Sequence, residues 1–265
     1  MAILIEGQTY NENVDHNNTG YATVRVSTAL DEDLTFRNNS IISIESGGYM
    51  LDAGDEDPAS TNGNLDGSII TGNKFTWNGV PGTPITHGLF QGYMINNTVK
   101  YNYLDKTPYG ILYKSGSLVG GTGNRTNVTG AAAYNIVKNA SRMPGRVKGM
   151  NGVCFYNNTF YHNNAAYSSV IYVDPNTDTG RLQQAPTGIK IKNNIFYTVN
   201  QMYNVNLANS GSLVGFECDY NLYWCESGTP LFRVGGTTYT FAQWQELGYD
   251  THSVVVNPNL PVSDG

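Results

Sequence analysis

YNNTF (Tyr156 to Phe160) and KNNIF (Lys192 to Phe196) carry the pattern that decides the fold, an asparagine box that leads into an apolar or aromatic residue. The box occurs five more times, as RNNSI (Arg37 to Ile41), TGNKF (Thr71 to Phe75), INNTV (Ile95 to Val99), AYNIV (Ala133 to Val137) and DYNLY (Asp219 to Tyr223). The marker asparagines Asn39, Asn73, Asn97, Asn135, Asn158, Asn194 and Asn221 are separated by 34, 24, 38, 23, 36 and 27 residues. Steps of this length indicate a repeat architecture in which each box closes one coil of a solenoid.

The composition favours β structure made of stacked turns. The chain has 265 residues, with 30 Gly, 19 Tyr and 14% charged residues. Asparagine occupies 32 positions, which suits columns of turns because Asn tolerates left-handed backbone and its amide both donates and accepts hydrogen bonds. We expect an all-β solenoid of about seven to eight coils with a short C-terminal capping helix. A single domain would cover 1–265, with the solenoid starting in 1–33, the Asn-box coils in 34–223 and the cap in 224–265.

Charge and hydropathy exclude two classes of partner. The net charge is −6 and the pI is about 5.1, without the basic footprint that nucleic-acid binding requires. No apolar run approaches the roughly 20 residues that span a bilayer. The start, Met1 to Tyr10, also lacks the segments of a signal peptide. We therefore expect no nucleic-acid or membrane partner, and an extracellular or virion-associated location.

The cysteines and the glycosylation-like motifs are interpreted as structural. Cys154, Cys218 and Cys225 lack metal-ligand spacing, so we expect buried thiols, with a Cys218–Cys225 disulfide as the alternative. Most of the seven N-x-S/T motifs fall in or beside the boxes and are predicted to be turns: Asn17, Asn38, Asn96, Asn124, Asn127, Asn139 and Asn157.

A second set of strands precedes the boxes: HGLFQ (His87 to Gln91), GILYK (Gly110 to Lys114), GRVKG (Gly145 to Gly149), SVIYV (Ser169 to Val173) and NVNLA (Asn204 to Ala208). Side chains alternate along a strand, so we expect Phe90, Tyr113, Val147 and Val173 to point inward. The outward column would contain Gln91, Lys114, Lys148 and either Tyr172 or Asp174, flanked by Leu112 and Arg146. Coils stack about 4.8 Å apart, so this polar stripe could hold a linear polymer.

Two long inserts, Gly116 to Gly130 and Asp174 to Thr187, follow these strands. Both are rich in Gly, Thr, Asn or Pro and are predicted to be loops that wall the stripe. At the C-terminus, Thr240 and Gln243 form a capping-box pattern for a short helix that stops at Gly248. Near the N-terminus, Ala22 to Leu30 alternates like a strand and could start the first coil.

The boxes and strands from about Leu34 to Tyr223 resemble the right-handed parallel β-helix of the pectin-lyase-like superfamily. The segment Gly248 to Leu260 is similar to a C-terminal pattern of bacterial β-helix repeat proteins. The superfamily includes polysaccharide lyases, glycoside hydrolases, phage tail spikes and adhesins, so the resemblance implies a fold and, as the expected partner, a polysaccharide.

YGILYKSGS (Tyr109 to Ser117) and RMPGRVKGMNG (Arg142 to Gly152) resemble the alginate lyase and chondroitinase B family. The resemblance implies Lys114, followed by Ser115, as the base and Arg146 as the acid or the partner of the substrate carboxylate. The family's Arg-His-Gly triplet is replaced by Val147-Lys148-Gly149, and no carboxylate precedes Lys114 in the position of the family's calcium ligand.

β-Elimination on a uronate needs a base for the C5 proton and cations for the sugar carboxylate. The predicted catalytic residues are Lys114, Arg146 and Lys148. The predicted substrate-binding residues are Gln91, Tyr109, Arg142, Tyr172 and Asp174, with Tyr109 and Tyr172 stacking on sugar rings. We predict no metal-ligating residues and no cofactor, with Ca²⁺ as the alternative. Solvent-exposed cations without a catalytic role are the competing interpretation of the three basic residues.

Other chemistry-bearing residues are less organised. The acidic run Asp52, Asp55, Glu56 and Asp57 is predicted to be a solvated loop, and Asp105, Asp174 and Asp178 are scattered, which disfavours a hydrolase with converging aspartates. His87, His162 and His252 share no ligand spacing. The tyrosines near the boxes are predicted to stack in the core: Tyr101, Tyr103, Tyr134, Tyr156, Tyr161, Tyr197, Tyr220 and Tyr223.

Three functions remain open from the sequence. The first is a polysaccharide lyase acting on an acidic glycan. The second is a viral tail-spike or fibre component, for which a homotrimer is expected. The third is a non-catalytic glycan-binding surface protein. If the chain is an enzyme, its basic stripe favours a lyase over a glycoside hydrolase.

Overall fold

The computed structural model describes residues 3–11, 22–26, 34–43, 48–53, 65–78, 86–92, 94–114, 130–163, 169–177 and 185–260. Within these ranges the chain repeats a unit of three short strands, each joining a different sheet and pairing in parallel with the same strand of the next unit. This is a parallel β-helix, so the predicted fold class is confirmed. Each three-strand unit is called a coil below, and strands are numbered along the chain.

Sheet A holds β1 (Ile3–Glu6), β4 (Leu34–Arg37), β8 (Ile69–Thr71), β12 (Asn97–Lys100), β15 (Gly130–Ala133), β18 (Val153–Tyr156), β21 (Lys190–Lys192) and β24 (Glu217–Asp219). Sheet B holds β2 (Thr9–Asn11), β5 (Ser40–Ser43), β9 (Lys74–Trp77), β13 (Tyr103–Asp105), β16 (Ile136–Lys138), β19 (Thr159–His162), β22 (Ile195–Thr198), β25 (Leu222–Cys225) and β28 (Val254–Val255).

Sheet C holds β3 (Ala22–Val26), β6 (Gly48–Ala53), β10 (Thr86–Gly92), β14 (Tyr109–Lys114), β17 (Gly145–Lys148), β20 (Ser169–Asp174), β23 (Tyr203–Leu207), β26 (Leu231–Val234) and β27 (Thr237–Thr240). A separate pair joins β7 (Leu65–Asp66) and β11 (Met94–Ile95). The five strands predicted upstream of the boxes are neighbours in sheet C, which confirms that they stack. The predicted N-terminal strand is β3, the third strand of its coil.

An asparagine ladder fixes the turn between sheets A and B. The Oδ1 atom of Asn158 accepts from the backbone N–H and from the side chain Nδ2 of Asn135, both at 3.0 Å. Its own Nδ2 donates to Ala132 O at 2.9 Å and to Asn194 Oδ1 at 3.0 Å. The same bonds repeat along the column of Asn39, Asn73, Asn102, Asn135, Asn158, Asn194 and Asn221. Each amide in this buried column is therefore satisfied by the coils on either side of it.

One member of the predicted column is wrong. Asn73 bonds to Asn102 and not to Asn97, and Asn97 instead begins β12 on sheet A. The box INNTV has the same pattern as the ladder boxes, because in both an asparagine precedes a strand of alternating apolar and polar residues. Asn102 lies in YNYL, where a single asparagine follows a tyrosine. The corrected steps on either side of Asn102 are 29 and 33 residues.

Rings stacked from coil to coil fill the core. Phe160, Phe196 and Tyr223 occupy one inward column of sheet B. Their centroids are 5.4 and 4.9 Å apart, and all three are fully buried. The period-two pattern of sheet B thus places an aromatic ring inside in each of these three coils, where apolar burial stabilises the solenoid.

The predicted C-terminal cap is confirmed. The helix α1 (Phe241–Glu246) has Thr240 as its N-cap and the reciprocal hydrogen bonds of a capping box with Gln243. Strand β27 pairs antiparallel with β26. Helix and hairpin together occupy the end of sheet C, where an open strand edge would otherwise be available to other chains.

Several smaller predictions have clear outcomes. All three cysteines are free, so the alternative disulfide is wrong; Cys218 and Cys225 are buried and Cys154 is intermediate. The motif asparagines in the described ranges have the positive φ of turns, in agreement with their structural interpretation: Asn38, Asn96, Asn139 and Asn157. The core-stacking prediction is wrong for Tyr101, Tyr134 and Tyr220, which are 58%, 51% and 54% exposed. The reason is that each immediately precedes a ladder asparagine, at the outer corner of the turn.

Candidate functional site

The outward face of sheet C brings the predicted basic residues together. Leu112 of β14 is in register with Arg146 of β17, and Lys114 is in register with Lys148. One strand further along, Arg146 pairs with Tyr172 and Lys148 pairs with Asp174. The inward neighbours Tyr113, Val147 and Val173 are fully buried, as predicted.

The predicted stripe is offset by one residue in strand β10. Gln91 is in register with the buried Tyr113, and Gly92 is the residue beside Lys114. In the backbone register, Phe90 accordingly pairs with Leu112 and not with Tyr113. The pattern of β10 does not reveal this phase because Gly88 and Gly92 flank its apolar residues. The described part of the polar stripe therefore begins at Lys114.

Arg146 and Asp174 form a bidentate ion pair. Arg146 Nε donates to Asp174 Oδ1 at 3.0 Å, and Nη2 donates to Oδ2 at 2.7 Å. The side chains are only 18% and 12% exposed. Burial alone would lower the pKa of Arg146, but the hydrogen bonds and the charge of Asp174 raise it, so the pKa lies above its ordinary value. Arg146 is therefore a fixed cation whose charge is balanced inside the protein.

Tyr109 lies under two guanidinium groups. Arg142 Nη1 donates to the Tyr109 hydroxyl at 3.0 Å, and the Cζ atoms of Arg142 and Arg146 lie 5.3 and 5.7 Å from the ring centroid. Tyr109 is only 6% exposed. Its ring is thus engaged by cations, and sugar stacking on it would require those arginines to move.

Tyr172 is the more accessible aromatic residue of this face. Its side chain is partly exposed, and Arg146 Cζ lies 5.6 Å from its ring centroid. Burial, followed by the negative charge of Asp174, raises the pKa of Tyr172. The phenol therefore stays protonated at neutral pH and can donate a hydrogen bond.

We call Tyr109, Lys114, Arg142, Arg146, Lys148, Tyr172 and Asp174 the sheet C patch. Seven of the eight predicted site residues lie in it, and Gln91 occupies a different column. The patch spans three consecutive coils, from β14 to β20. Several predicted features lie outside the described residues: Ser115, the acidic-run residues Asp55, Glu56 and Asp57, and most of the two predicted inserts (116–129 and 178–184).

The outward column continues past the predicted residues. Tyr172 is in register with Asn206, and Asn206 is in register with Arg233. Arg233 Cζ lies 5.4 Å from the centroid of Tyr203. Arg233 was missed because its strand, β26, follows the last box. Asn206 lies in the predicted strand NVNLA but was not assigned to the column. Alignment of LFRV (Leu231–Val234) with the earlier upstream strands would have placed Arg233 in the column.

The side chains that could bind a metal are scattered among the described residues. Within the described ranges, no three His, Cys, Asp or Glu side chains converge as a metal site would require. His252 pairs with Asp219 at 2.7 Å, and His162 is fully buried. Among the described residues, no helix is long and apolar enough to cross a membrane.

Comparison with known proteins adds no family assignment. No protein-family model matches the sequence. Neither a curated protein nor a solved structure is significantly similar to it. The class of the protein is therefore defined by its fold, a parallel β-helix with an asparagine ladder and a basic, aromatic patch on sheet C.

Proposed function

We propose that this protein binds an acidic polysaccharide along the outward face of sheet C and cleaves it by β-elimination. The observation that carries the proposal is the pair Lys114 and Lys148, side by side on adjacent strands. Parallel β-helices include carbohydrate-active proteins and tail spikes, so the fold permits this function and the patch residues give it a chemistry.

The shape of the face suits a linear polymer. Adjacent strands are about 4.8 Å apart, so the column Arg146, Tyr172, Asn206 and Arg233 extends roughly 14 Å across the coils. Cations lie at both ends of this column, with a tyrosine and an amide between them. A polymer lying across these coils would meet Tyr172 and Arg233, since Arg146 is paired with Asp174 and Asn206 is buried and donates to Ser169.

The ion pair between Arg146 and Asp174 gives Arg146 a different role from Lys114 and Lys148. Asp174 already receives two hydrogen bonds from Arg146, so the charge of Arg146 is balanced inside the protein. We assign Lys148 to neutralise the uronate carboxylate and Lys114 to act as the base. Arg146 and Asp174 hold Tyr172 and Tyr109 in place beside the polymer.

The chemical step needs no oxidant or cofactor. As the base, Lys114 removes the C5 proton, the C5–H electrons form the C4=C5 double bond, and the C4–O bond to the neighbouring sugar breaks. The departing oxygen takes a proton, which Lys114 can return from its newly formed ammonium group. Lys148 stabilises the negative charge that develops on the carboxylate during proton removal.

The test uses polygalacturonate, alginate and chondroitin as separate substrates. Formation of the unsaturated uronate is followed by ultraviolet absorbance. We expect product from at least one polymer, and Lys114→Ala should lower the rate at least about 100-fold, the usual contribution of a general base. Lys148→Ala should also lower the rate. Lys190→Ala serves as the matched control, because Lys190 lies on sheet A and pairs with Glu217.

Binding and catalysis are separated by a second measurement, the affinity for each polymer by calorimetry. Absence of product from every uronate polymer refutes the lyase activity. Affinity that is unchanged in Lys114→Ala/Lys148→Ala refutes the assignment of the binding face. Loss of affinity in that variant without any product in the wild type would establish a glycan-binding protein that is not a lyase.

A further inference from the structure

The outer corner of the asparagine ladder contains tyrosines where the backbone favours other residues. The residue before each ladder asparagine has a left-handed conformation. Four of these positions are occupied by Asn38, Gly72, Asn157 and Asn193, which tolerate that conformation well. Tyr101, Tyr134 and Tyr220 adopt it with φ of 56°, 56° and 58°. A bulky residue in this region is strained, so the backbone does not explain the choice of tyrosine.

Burial does not explain it either. Tyr101 and Tyr134 are 58% and 51% exposed. The aromatic surface they present is therefore still in contact with water. Strained backbone and exposed aromatic rings at the same positions are features of binding surfaces.

The two rings form an ordered platform. Tyr101 and Tyr134 stack with centroids 5.1 Å apart and an interplanar angle of 17°. The buried ladder asparagines Asn102 and Asn135 follow them directly and are joined at 3.0 Å. The platform is thus held by a rigid part of the solenoid, which lowers the entropic cost of binding.

Cations and a further apolar side chain border the rings. Lys100 Nζ lies 5.9 Å from the centroid of Tyr101, and Lys74 Nζ lies 5.9 Å from that of Tyr103. Ile136, in register with Tyr103, is 42% exposed. One coil before Tyr101 the corner residue is Gly72, and the Asn38 amide lies over it. The surface combines aromatic rings, ammonium groups and an amide.

We propose that Tyr101 and Tyr134, with Lys100, form a second binding site for an acidic polysaccharide. The C–H faces of a pyranose ring carry partial positive charge and match the negative faces of tyrosine rings, while the lysine pairs with a carboxylate or sulfate group. This site lies at the turn between sheets A and B, away from sheet C, and does not depend on the proposed lyase activity. Two separate sites would let the protein hold one long polymer at two points.

The alternative is that the two rings serve only to support each other, since stacked tyrosines also stabilise a fold. The double variant Tyr101→Asn/Tyr134→Asn distinguishes the two roles. Asparagine occupies the same position in three other coils, so the variant should keep its fold and its melting temperature. A purely structural pair would affect melting and leave polymer binding unchanged.

The experiment measures affinity for polygalacturonate, alginate and chondroitin sulfate, with dextran as the neutral control. It starts from Lys114→Ala/Lys148→Ala, so that binding at sheet C is already weakened. We expect residual binding to at least one acidic polymer, and an affinity at least ten-fold lower after adding Tyr101→Asn/Tyr134→Asn. The matched control is Tyr220→Asn, because Tyr220 is exposed and left-handed but stacks on His252.

The outcomes separate this proposal from the lyase proposal. No residual binding in the sheet C variant, or binding unchanged by the tyrosine substitutions, overturns the second site. Loss of the second site with normal product formation by the tyrosine variant leaves the lyase proposal intact. A loss of binding that Tyr220→Asn reproduces would show a general surface effect and would also overturn the site.

Discussion

The asparagine ladder and the sheet C patch are both columns of polar side chains, but they are built on opposite rules. In the ladder the same amide returns in every coil and makes the same bonds to the next one, as at Asn135 and Asn158. In the patch the residue type changes from Lys114 to Lys148 to Asp174 along one column. Because the same residue type repeats in every coil, the buried column can satisfy every amide. Because the residue type changes between coils, the outward face of sheet C presents distinct chemical groups. The ladder therefore serves the fold, and the patch is the surface on which function is sought.

Removing one rung is the strongest test of the ladder. Asn158→Ala deletes four side-chain hydrogen bonds and leaves buried partners unsatisfied. We expect the free energy of unfolding to fall by about 4 kcal/mol, since each buried unsatisfied group costs roughly 1–3 kcal/mol. Chemical denaturation measures this loss.

Asn157, which precedes Asn158, provides the control for this substitution. Asn157→Gly changes the same box, but glycine tolerates the left-handed conformation of Asn157. It should alter the free energy of unfolding by less than about 1 kcal/mol. Equal effects of Asn158→Ala and Asn157→Gly would mean that the ladder bonds do not dominate the turn.

Where the ladder ends, a carboxylate replaces the amide. The fully buried Asp250 accepts hydrogen bonds from Asn221, Ser253, Cys218, Tyr223 and Trp244. Asp250→Asn would turn an N–H group toward some of these donors, and we expect a loss of about 3 kcal/mol in the free energy of unfolding. Chemical denaturation followed by tryptophan fluorescence measures this loss.

Asp219→Asn is the comparison for the cap. Asp219 is also an aspartate near the C-terminal end, but its partner His252 is 61% exposed. We expect little change in stability from Asp219→Asn. An unchanged denaturation midpoint for Asp250→Asn would contradict the role of Asp250 as the terminus of the ladder.

One ion pair of the sheet C patch is shielded from solvent, as charged groups in a protein interior are. Arg146 and Asp174 are 18% and 12% exposed, while Arg37 and Glu6 form a similar pair at 45% and 40% exposure. A double-mutant cycle with Arg146→Gln and Asp174→Asn should give a coupling energy of about 2 kcal/mol, as for bonds between charged groups shielded from water.

The same cycle at the exposed pair, with Arg37→Gln and Glu6→Gln, should give a smaller coupling energy, because water and salt screen exposed charges. Both coupling energies come from urea denaturation. Similar values for the two pairs would show that the Arg146–Asp174 pair is no more protected than an ordinary surface pair. It would then be available to a substrate carboxylate, which reverses the division of roles between Arg146 and the lysines.

The sequence predicted the repeated parts of the molecule well because periodicity is visible without a structure. The asparagine boxes, the sheet C strands and the capping box of Thr240 and Gln243 all have spacings set by backbone geometry. The mistaken rung at Asn97 shows the limit, since an asparagine before an alternating strand can start either sheet A or sheet B. Only the hydrogen bond from Asn73 to Asn102 distinguishes them.

The grouping of the predicted basic residues on one face of sheet C was foreseen, but their contacts were not. Alternation along β14 and β17 placed Lys114, Arg146 and Lys148 on one face, because period two applies to any strand. The bidentate bond between Arg146 and Asp174 could not be predicted, since it depends on side-chain reach across two strands. The exposed tyrosines of the ladder corner were missed because a tyrosine beside a buried asparagine has no sequence signal for its own exposure.

The smallest expected effect concerns the charges of sheet A, where Glu217 bonds to both Lys190 and Lys192. These hydrogen bonds lower the pKa of Glu217 from its ordinary 4.5 to about 2. A carboxylate with a lowered pKa in the folded state stabilises the fold above pH 4.5, and that contribution disappears as the pH falls from 4.5 to about 2. Because the groups are solvent-accessible, we expect less than about 1 kcal/mol.

Glu217→Gln should therefore reduce stability slightly at pH 7 and not at all near pH 2, as measured by urea denaturation at both pH values. High salt should shrink the difference at pH 7, because exposed charges are screened. Glu246→Gln on the capping helix is the control for removing a carboxylate elsewhere. A Glu217→Gln effect that persists at pH 2 would show that the side chain acts through packing and not through its charge. Glu217 would then stabilise the fold as the ladder asparagines do, through its contacts with a neighbouring coil and not through its charge.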